Sequence, residues 1–226
     1  MNRQESFVHG ARDVAPALVG NVPFGVIVGV TAVKTGFDPV AAVAMSGLMF
    51  AGAAQLAMME LLRDAAPLAI VVLTGLVVNL RYVMYSATFS QYLTDYGPRW
   101  RGAIATLLID ITFAMSVTKV DEEPAIDTAG YYMGVGIPLW ATWVSATAAG
   151  AILGAGVPAS WHLEFAVPLV FLALLAPAVK DSSTAVAGGV GGFVAIALTG
   201  IPFNAGLLGG ALAGVVAGAV AGRWRH

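Results

Sequence analysis

Apolar residues dominate the chain in long runs, and short polar clusters interrupt them. Read in order, the runs predict helices at about 14–33, 39–62, 66–92, 101–119, 131–154, 163–179, 184–199 and 203–222. Most are near the length that crosses a ~30 Å hydrocarbon core. The clusters between them carry turn chemistry, as in Lys34-Thr35-Gly36-Phe37-Asp38-Pro39 and Lys180-Asp181-Ser182-Ser183. The pattern predicts an all-α polytopic membrane protein of seven or eight transmembrane helices. The lower count applies if the short, glycine-rich 184–199 only partly spans. Residues 1–13 read as a polar N-terminal tail, 14–222 as a single transmembrane domain and 223–226 as a basic tail. Proline or glycine breaks segments in both halves, which leaves an internal repeat open.

Composition narrows the class. The chain of 226 residues is 58% hydrophobic and 11% charged, against about 25% charged for a soluble domain. Stretches of about ten alternating residues, as a membrane β-barrel needs, are absent. There is no cysteine, so disulfides and thiolate metal sites are excluded, and no basic tract suits nucleic acid. Neither H-E-x-x-H, G-x-S-x-G nor a Walker phosphate loop occurs. No enzyme, cofactor or metal is therefore expected.

The polar residues inside the runs carry the chemistry. Arg81 and Asn79 lie in the middle of 66–92. A guanidinium at the bilayer centre costs about 3 kcal/mol on insertion scales, so it requires a partner or a wet cavity. Asp110, near the centre of 101–119, is the obvious partner. The pair is then either a fixed bridge that orders the bundle or part of a functional site. As an ionisable group, Asp110 is the candidate for ion coupling. After Arg81, the residues Tyr82, Tyr85, Ser86, Ser90 and Gln91 make the end of that helix too polar for lipid. Gln55 sits among small residues in 39–62, as interhelical glue or as a pathway lining. In the first helix, Asn21, Pro23 and Gly25 suggest either a packing kink or a discontinuous helix whose half-helix N-terminus faces an anionic group. The segment 66–92 is long enough to be tilted, or broken near Gly75 to Asn79.

The remaining features have plainer readings. The acidic stretch 120–129 reads as a solvated loop, and Tyr131, Tyr132, Trp140, Trp143 and Trp161 include interfacial anchors. Glu164 suits the N-terminus of 163–179, which also holds Pro168 and Pro177, and His162 reads as interfacial. In 203–222, Gly206, Gly210, Gly214, Gly218 and Gly222 recur every fourth residue. An unbroken small-residue stripe of this length signals close packing, on this chain, a second copy or another subunit. By the positive-inside rule both termini are cytoplasmic. Arg3, Arg12, Arg63, Lys119, Lys180, Arg223 and Arg225 then lie inside, and Lys34, Arg99 and Arg101 outside.

The residues VPFGVIVG, AMSGLMFAGAAQLA, NLRYVMYSATFS, DITFA and LEFAVPLVFLALL, in that order, resemble the AzlC family. The block Ser46 to Gln55 with Asn79-Leu80-Arg81 is its most specific part. Three positions depart from the family pattern. Asp110-Ile111 stands for Asp-Glu, Glu164 for Asp, and Tyr82 where His is common. The resemblance implies the large subunit of a two-component exporter of branched-chain amino acids, with a small membrane partner, AzlD. It implies the inner, cytoplasmic membrane, a valine-like or methionine-like substrate and coupling to the proton gradient. Together with the residues above it implies alternating access around Arg81 and Asp110, with Asn79, Gln55, Asn21, Gly25 and Ser46 as substrate-binding candidates. Passive channel and non-transporting scaffold are the alternative classes. Association into an oligomer is open.

Overall fold

The computed structural model describes residues 1–154, 156, 172, 175, 179, 181–200 and 205–223. The chain falls into two compact units. One is Met1–Leu56 with Gly75–Trp161, the other Ala57–Thr74 with His162–His226. Among the described residues all regular structure is helical: α1 (Arg3–Asp13), α2 (Ala15–Lys34), α3 (Pro39–Leu48), α4 (Gly52–Arg63), α5 (Leu68–Phe89), α6 (Pro98–Thr106), α7 (Asp110–Glu122), α8 (Thr128–Gly154), α9 (Ser182–Ala197) and α10 (Ala205–Arg223). A 3₁₀ turn, Ser90–Leu93, extends α5. Among the described residues, three spans are long and apolar enough to cross a membrane: Ala15–Lys34, Leu68–Leu93 and Thr128–Gly154. The expected helix 163–179, with Glu164, Pro168 and Pro177, lies outside the described residues, as do Trp161, His162 and the Ile201-Pro202 start of the last helix.

In the first unit the long α8 is the post on which α1, α2, α3, α6 and α7 pack. Small residues allow this. Gly25 of α2 leaves no room for a side chain, because an added methyl would sit 2.7 Å from Ala146 Cβ. Gly29 of α2 abuts the main chain at Thr147, and Gly150 of α8 abuts the main chain of Val26. Gly10 and Gly134 do the same between α1 and α8. This is the small-residue approach that lets helices associate where lipid removes the hydrophobic incentive.

Residues 3–13 are therefore not a free tail. Asn2 caps α1 reciprocally with Glu5, and Ser6 and Gly10 are buried. Arg3 pairs with Asp127 at 3.2 Å and stacks over Trp100. Ser6 Oγ accepts from the Asp127 amide at 3.0 Å. A polar sequence hid a docked helix because its buried face is built of small residues, which carry no hydropathy signal.

The structure decides two open alternatives in favour of an unbroken helix, and it places two breaks that were not expected. Pro23 does not break α2, which runs unbroken from Ala15 to Lys34, so no half-helix begins at Pro23–Gly25. The packing of Gly25 and Gly29 on α8 holds the helix through its lost hydrogen bond. α5 likewise continues through Gly75 to Asn79. By contrast, 39–62 is two helices, separated at Met49–Ala51, where Met49 is extended (φ −117°, ψ 93°). The stretch 101–119 is also two, α6 and α7, separated at 107–109, where Ile109 is extended (φ −134°, ψ 174°). Hydropathy cannot show such breaks, since their residues are as apolar as the helices around them.

Elsewhere the turns follow their residues. α2 ends in a Schellman motif, with Phe37 N–H on Ala32 O at 3.0 Å and Gly36 N–H on Val33 O at 3.1 Å. Gly36 there has φ +92°, a left-handed conformation that favours glycine. Asp38 then caps α3, accepting from the Val40 amide at 2.9 Å. Much of the acidic stretch 120–129 is helix or bonded turn, because α7 reaches Glu122 and Asp127 accepts from Gly130 N–H. Tyr131, Tyr132 and Trp143 are buried between helices, and Trp140 is partly exposed. In the second unit α9 and α10 pack together along the glycine stripe. A methyl on Gly210 would meet Gly191 O at 2.5 Å, one on Gly214 would meet Ala187 O at 2.7 Å, and Gly206 and Gly218 face α9 in the same way. The stripe thus packs within this chain.

Gly150→Val should lower the stability of the purified protein by about 1–3 kcal/mol, as over-packing does. Gly20→Ala, at a glycine with open space around it, should be neutral or slightly stabilising. Thermal unfolding in detergent distinguishes the two, and equal effects would refute the packing assignment.

Candidate functional site

Both helix breaks are held by polar side chains, and both meet α5 at its midpoint. At the first break, Ser46 at the end of α3 and Gln55 in the first turn of α4 are fully buried. Gln55 Nε2 donates to Ser46 Oγ at 2.9 Å across the gap. Trp140 Nε1 donates to the freed carbonyl of Gly47 at 3.1 Å. The Tyr82 hydroxyl of α5 donates a long 3.5 Å bond to Phe50 O. Trp143 closes the gap from α8, with its ring edge where a methyl on Gly52 would lie. It also stacks edge-on against Phe24 at 5.3 Å.

At the second break the residue that opens α7 is Asp110. A carboxylate there is favourable, because the first amides of a helix carry partial positive charge. Arg81, one residue before Tyr82, donates from Nη1 to Asp110 Oδ2 at 2.8 Å. The expected ion pair is formed. Arg81 Nη2 also makes a long 3.4 Å bond to the Tyr82 hydroxyl. The aromatic rings continue this wall, with Tyr85 stacked on Phe113 at 4.5 Å between centroids.

The pair is neither sealed nor saturated. The side chains are 35% exposed for Arg81 and 48% for Asp110. Arg81 Nε, Asp110 Oδ1 and Asn79 Oδ1 are each shielded from solvent and lack a partner. One spare donor and two spare acceptors therefore lie within three residues on α5 and at the head of α7. Such atoms are costly to leave unmade in a low-dielectric surround, and they mark a place where a polar ligand can bond.

The other candidates have different surroundings. Ser46 and Gln55 are bonded to each other, and Gln55 Oε1 is left over. Asn21 Nδ2 donates to Leu139 O at 3.1 Å and ties α2 to α8. Gly25 is packed against α8. Thr112 was not singled out in the sequence, yet it is fully buried and bonded to both sides of the second break. The signal for it was thin: a threonine two residues after the aspartate that starts a helix. At the end of α7, Lys119 bonds Glu123 at 2.8 Å and lies 3.9 Å from Asp13, beside an open groove of about 400 Å³. The lysine holds the Glu123 carboxyl below its usual range.

The whole describes an α-helical membrane protein with an ion pair set where a broken helix meets an unbroken one. The chain belongs to the AzlC family, whose model, described as AzlC protein, matches residues 16–157. It is 26% identical to the inner membrane protein YgaZ of Escherichia coli over 205 residues, covering 87% of this chain and 84% of that one. It is 30% identical over 204 residues to an uncharacterized membrane protein of Archaeoglobus fulgidus, covering 86% and 88%. With a membrane protein of Helicobacter pylori the identity is 25% over 174 residues, covering 74% and 75%. No solved structure matches the chain.

Breaking the pair from one side strands the remaining charge, which costs about 3–5 kcal/mol for a buried pair and less where water reaches it. Arg81→Gln and Asp110→Asn should each lower the melting temperature, and the double variant should recover most of the loss. Strictly additive losses would mean that the two side chains are independent.

Proposed function

We propose that this chain is a secondary transporter that exports branched-chain or similar hydrophobic amino acids. Valine-like substrates are the leading class, with methionine-like ones next. The observation that carries this reading is the Arg81–Asp110 pair at the head of α7, with the spare atoms of Arg81, Asp110 and Asn79 beside it. A zwitterion needs a cation for its carboxylate and acceptors for its ammonium, and this cluster holds both at one place. The aliphatic side chain needs only an apolar wall, which Tyr85 and Phe113 supply. The family resemblance supports transport, this substrate class and a small AzlD-like membrane subunit as partner.

In this reading the substrate opens the pair from its bridged form. Its carboxylate takes Arg81 and its ammonium takes Asp110 and Asn79. Protonation of Asp110 has the same effect on the bridge, so proton entry and substrate release are coupled through one carboxylate. The breaks at 49–51 and 107–109 are the hinges of alternating access, since backbone without helical bonds bends at little cost. Ser46, Gln55, Asn21 and Gly25 serve the site by holding the helices that form it. The paired half-helices α3–α4 and α6–α7 each complete a span. The domain 14–222 then crosses the inner membrane seven or eight times with both termini in the cytoplasm. The excess of Lys and Arg in the inner loops supports this orientation.

Counterflow of labelled valine in proteoliposomes, with and without the small subunit, tests the reading. Saturable exchange is expected. Arg81→Ala should reduce it to background while the protein remains in the membrane. Asp110→Asn should still exchange valine yet fail to accumulate it against a gradient when a proton gradient is applied. Full exchange by Arg81→Ala, or an unaltered proton-driven uptake by Asp110→Asn, would overturn the assignment of that residue.

A further inference from the structure

The second helix break raises a question that the ion pair does not answer. Leu107, Leu108 and Ile109 are good helix formers, and nothing in their side chains stops α6 from running on into α7. Their backbone must be diverted by something bonded to it. Among the described residues, the hydroxyl that bonds it is that of Thr112. The Ile109 amide donates to Thr112 Oγ1 at 2.8 Å. The hydroxyl proton has two carbonyls within reach, Leu107 O at 2.8 Å and Ile109 O at 2.9 Å. A threonine hydroxyl has one proton and two lone pairs, so these partners nearly exhaust it. The remaining acceptor direction takes a long bond from the Tyr132 hydroxyl of α8 at 3.4 Å. One turn further along α8, Gly136 makes room for the break. A methyl there would lie 3.1 Å from Leu107 and 3.5 Å from Thr112 Cγ2.

We infer that Thr112 is a positioning residue: its hydroxyl holds the 107–109 break open and so fixes Asp110 as the first residue of α7, facing Arg81. Without the hydroxyl, the Ile109 amide and the Leu107 carbonyl lose the partner that Thr112 supplies, whereas the Ile109 carbonyl keeps the Phe113 amide at 2.9 Å. The cheapest repair is for α6 and α7 to join, which rotates Asp110 away from the head of a helix and off its partner. Thr112 touches neither Arg81 nor a ligand, and its effect passes through Asp110. Its effect on substrate affinity rests on the function proposed above, whereas its hold on the break does not.

Because the chain contains no cysteine, a single Leu108→Cys reports on the break directly through its rate of maleimide labelling in membranes. Leu108 is nearly buried. Adding Thr112→Val should change that rate at least fivefold, and Thr112→Ser, which keeps the hydroxyl, should leave it within twofold. On the cysteine-free chain, Thr112→Val should raise the half-saturation concentration for valine counterflow at least tenfold, against less than threefold in the maximal rate per folded molecule, and Thr112→Ser should restore it. A residue that only stabilised the fold would lower the amount of protein and leave both readings unchanged. Unchanged labelling in Thr112→Val overturns the inference. Altered labelling in a protein whose parent exchanges no valine overturns the proposed function and leaves the break assignment standing. Should Thr112→Val fail to accumulate, Tyr132→Phe carries the test, with a labelling change of at least twofold expected and none overturning it.

Discussion

A guanidinium placed at the middle of an apolar helix constrains everything around it. Arg81 cannot be left to lipid, so a carboxylate must be brought to it, and the carboxylate itself must be stabilised. The protein meets both needs with one device. It interrupts a helix just before Asp110, so that the carboxylate bonds Arg81 from the first turn of α7, where the free amides favour negative charge. The break then needs its own support, which comes from Thr112, Tyr132 and the space at Gly136. The neighbouring break at Met49–Ala51 is supported in kind, by Ser46 with Gln55 and by Trp140. Non-helical backbone at membrane depth is tolerable only where such partners replace the lost bonds.

The glycines serve this arrangement from outside it. Close contact of α2 and α1 with α8 fixes the post from which Tyr132, Gly136, Trp140 and Trp143 reach the two breaks. Rigidity in α8 and α2 is thus the counterpart of weakness in α3–α4 and α6–α7. A helix pair that meets through main chain and small side chains has few ways to slide, whereas a helix joined to the next by three non-helical residues can tilt about them. The division suits a molecule that moves some elements past others.

Hydropathy made the helical class legible, and Arg81 with Asp110 stood out because charge in an apolar run requires a partner. The glycine stripe of α10 was equally plain from its four-residue period, though only the fold shows that α9 receives it. The breaks at 49–51 and 107–109 were not legible. Met49-Phe50-Ala51 and Leu107-Leu108-Ile109 are as apolar as their flanks, and what diverts them is a bond from a distant or unremarkable residue. Pro23 left a packing kink and a break equally open. A proline suggests a break, yet packing at Gly25 and Gly29 keeps α2 whole. α1 escaped notice because Ser6 and Gly10, its buried residues, look like a loop.

The central claim is that one cluster reads both charges of a zwitterion. Competition against labelled valine on the purified protein tests it most directly, with isobutylamine and isobutyrate as probes that each keep the side chain and one charge. The account predicts that unlabelled valine competes and that neither probe does so within a hundredfold of its concentration, because each leaves a buried polar partner unmade. Competition by either probe as effective as that of valine would contradict it.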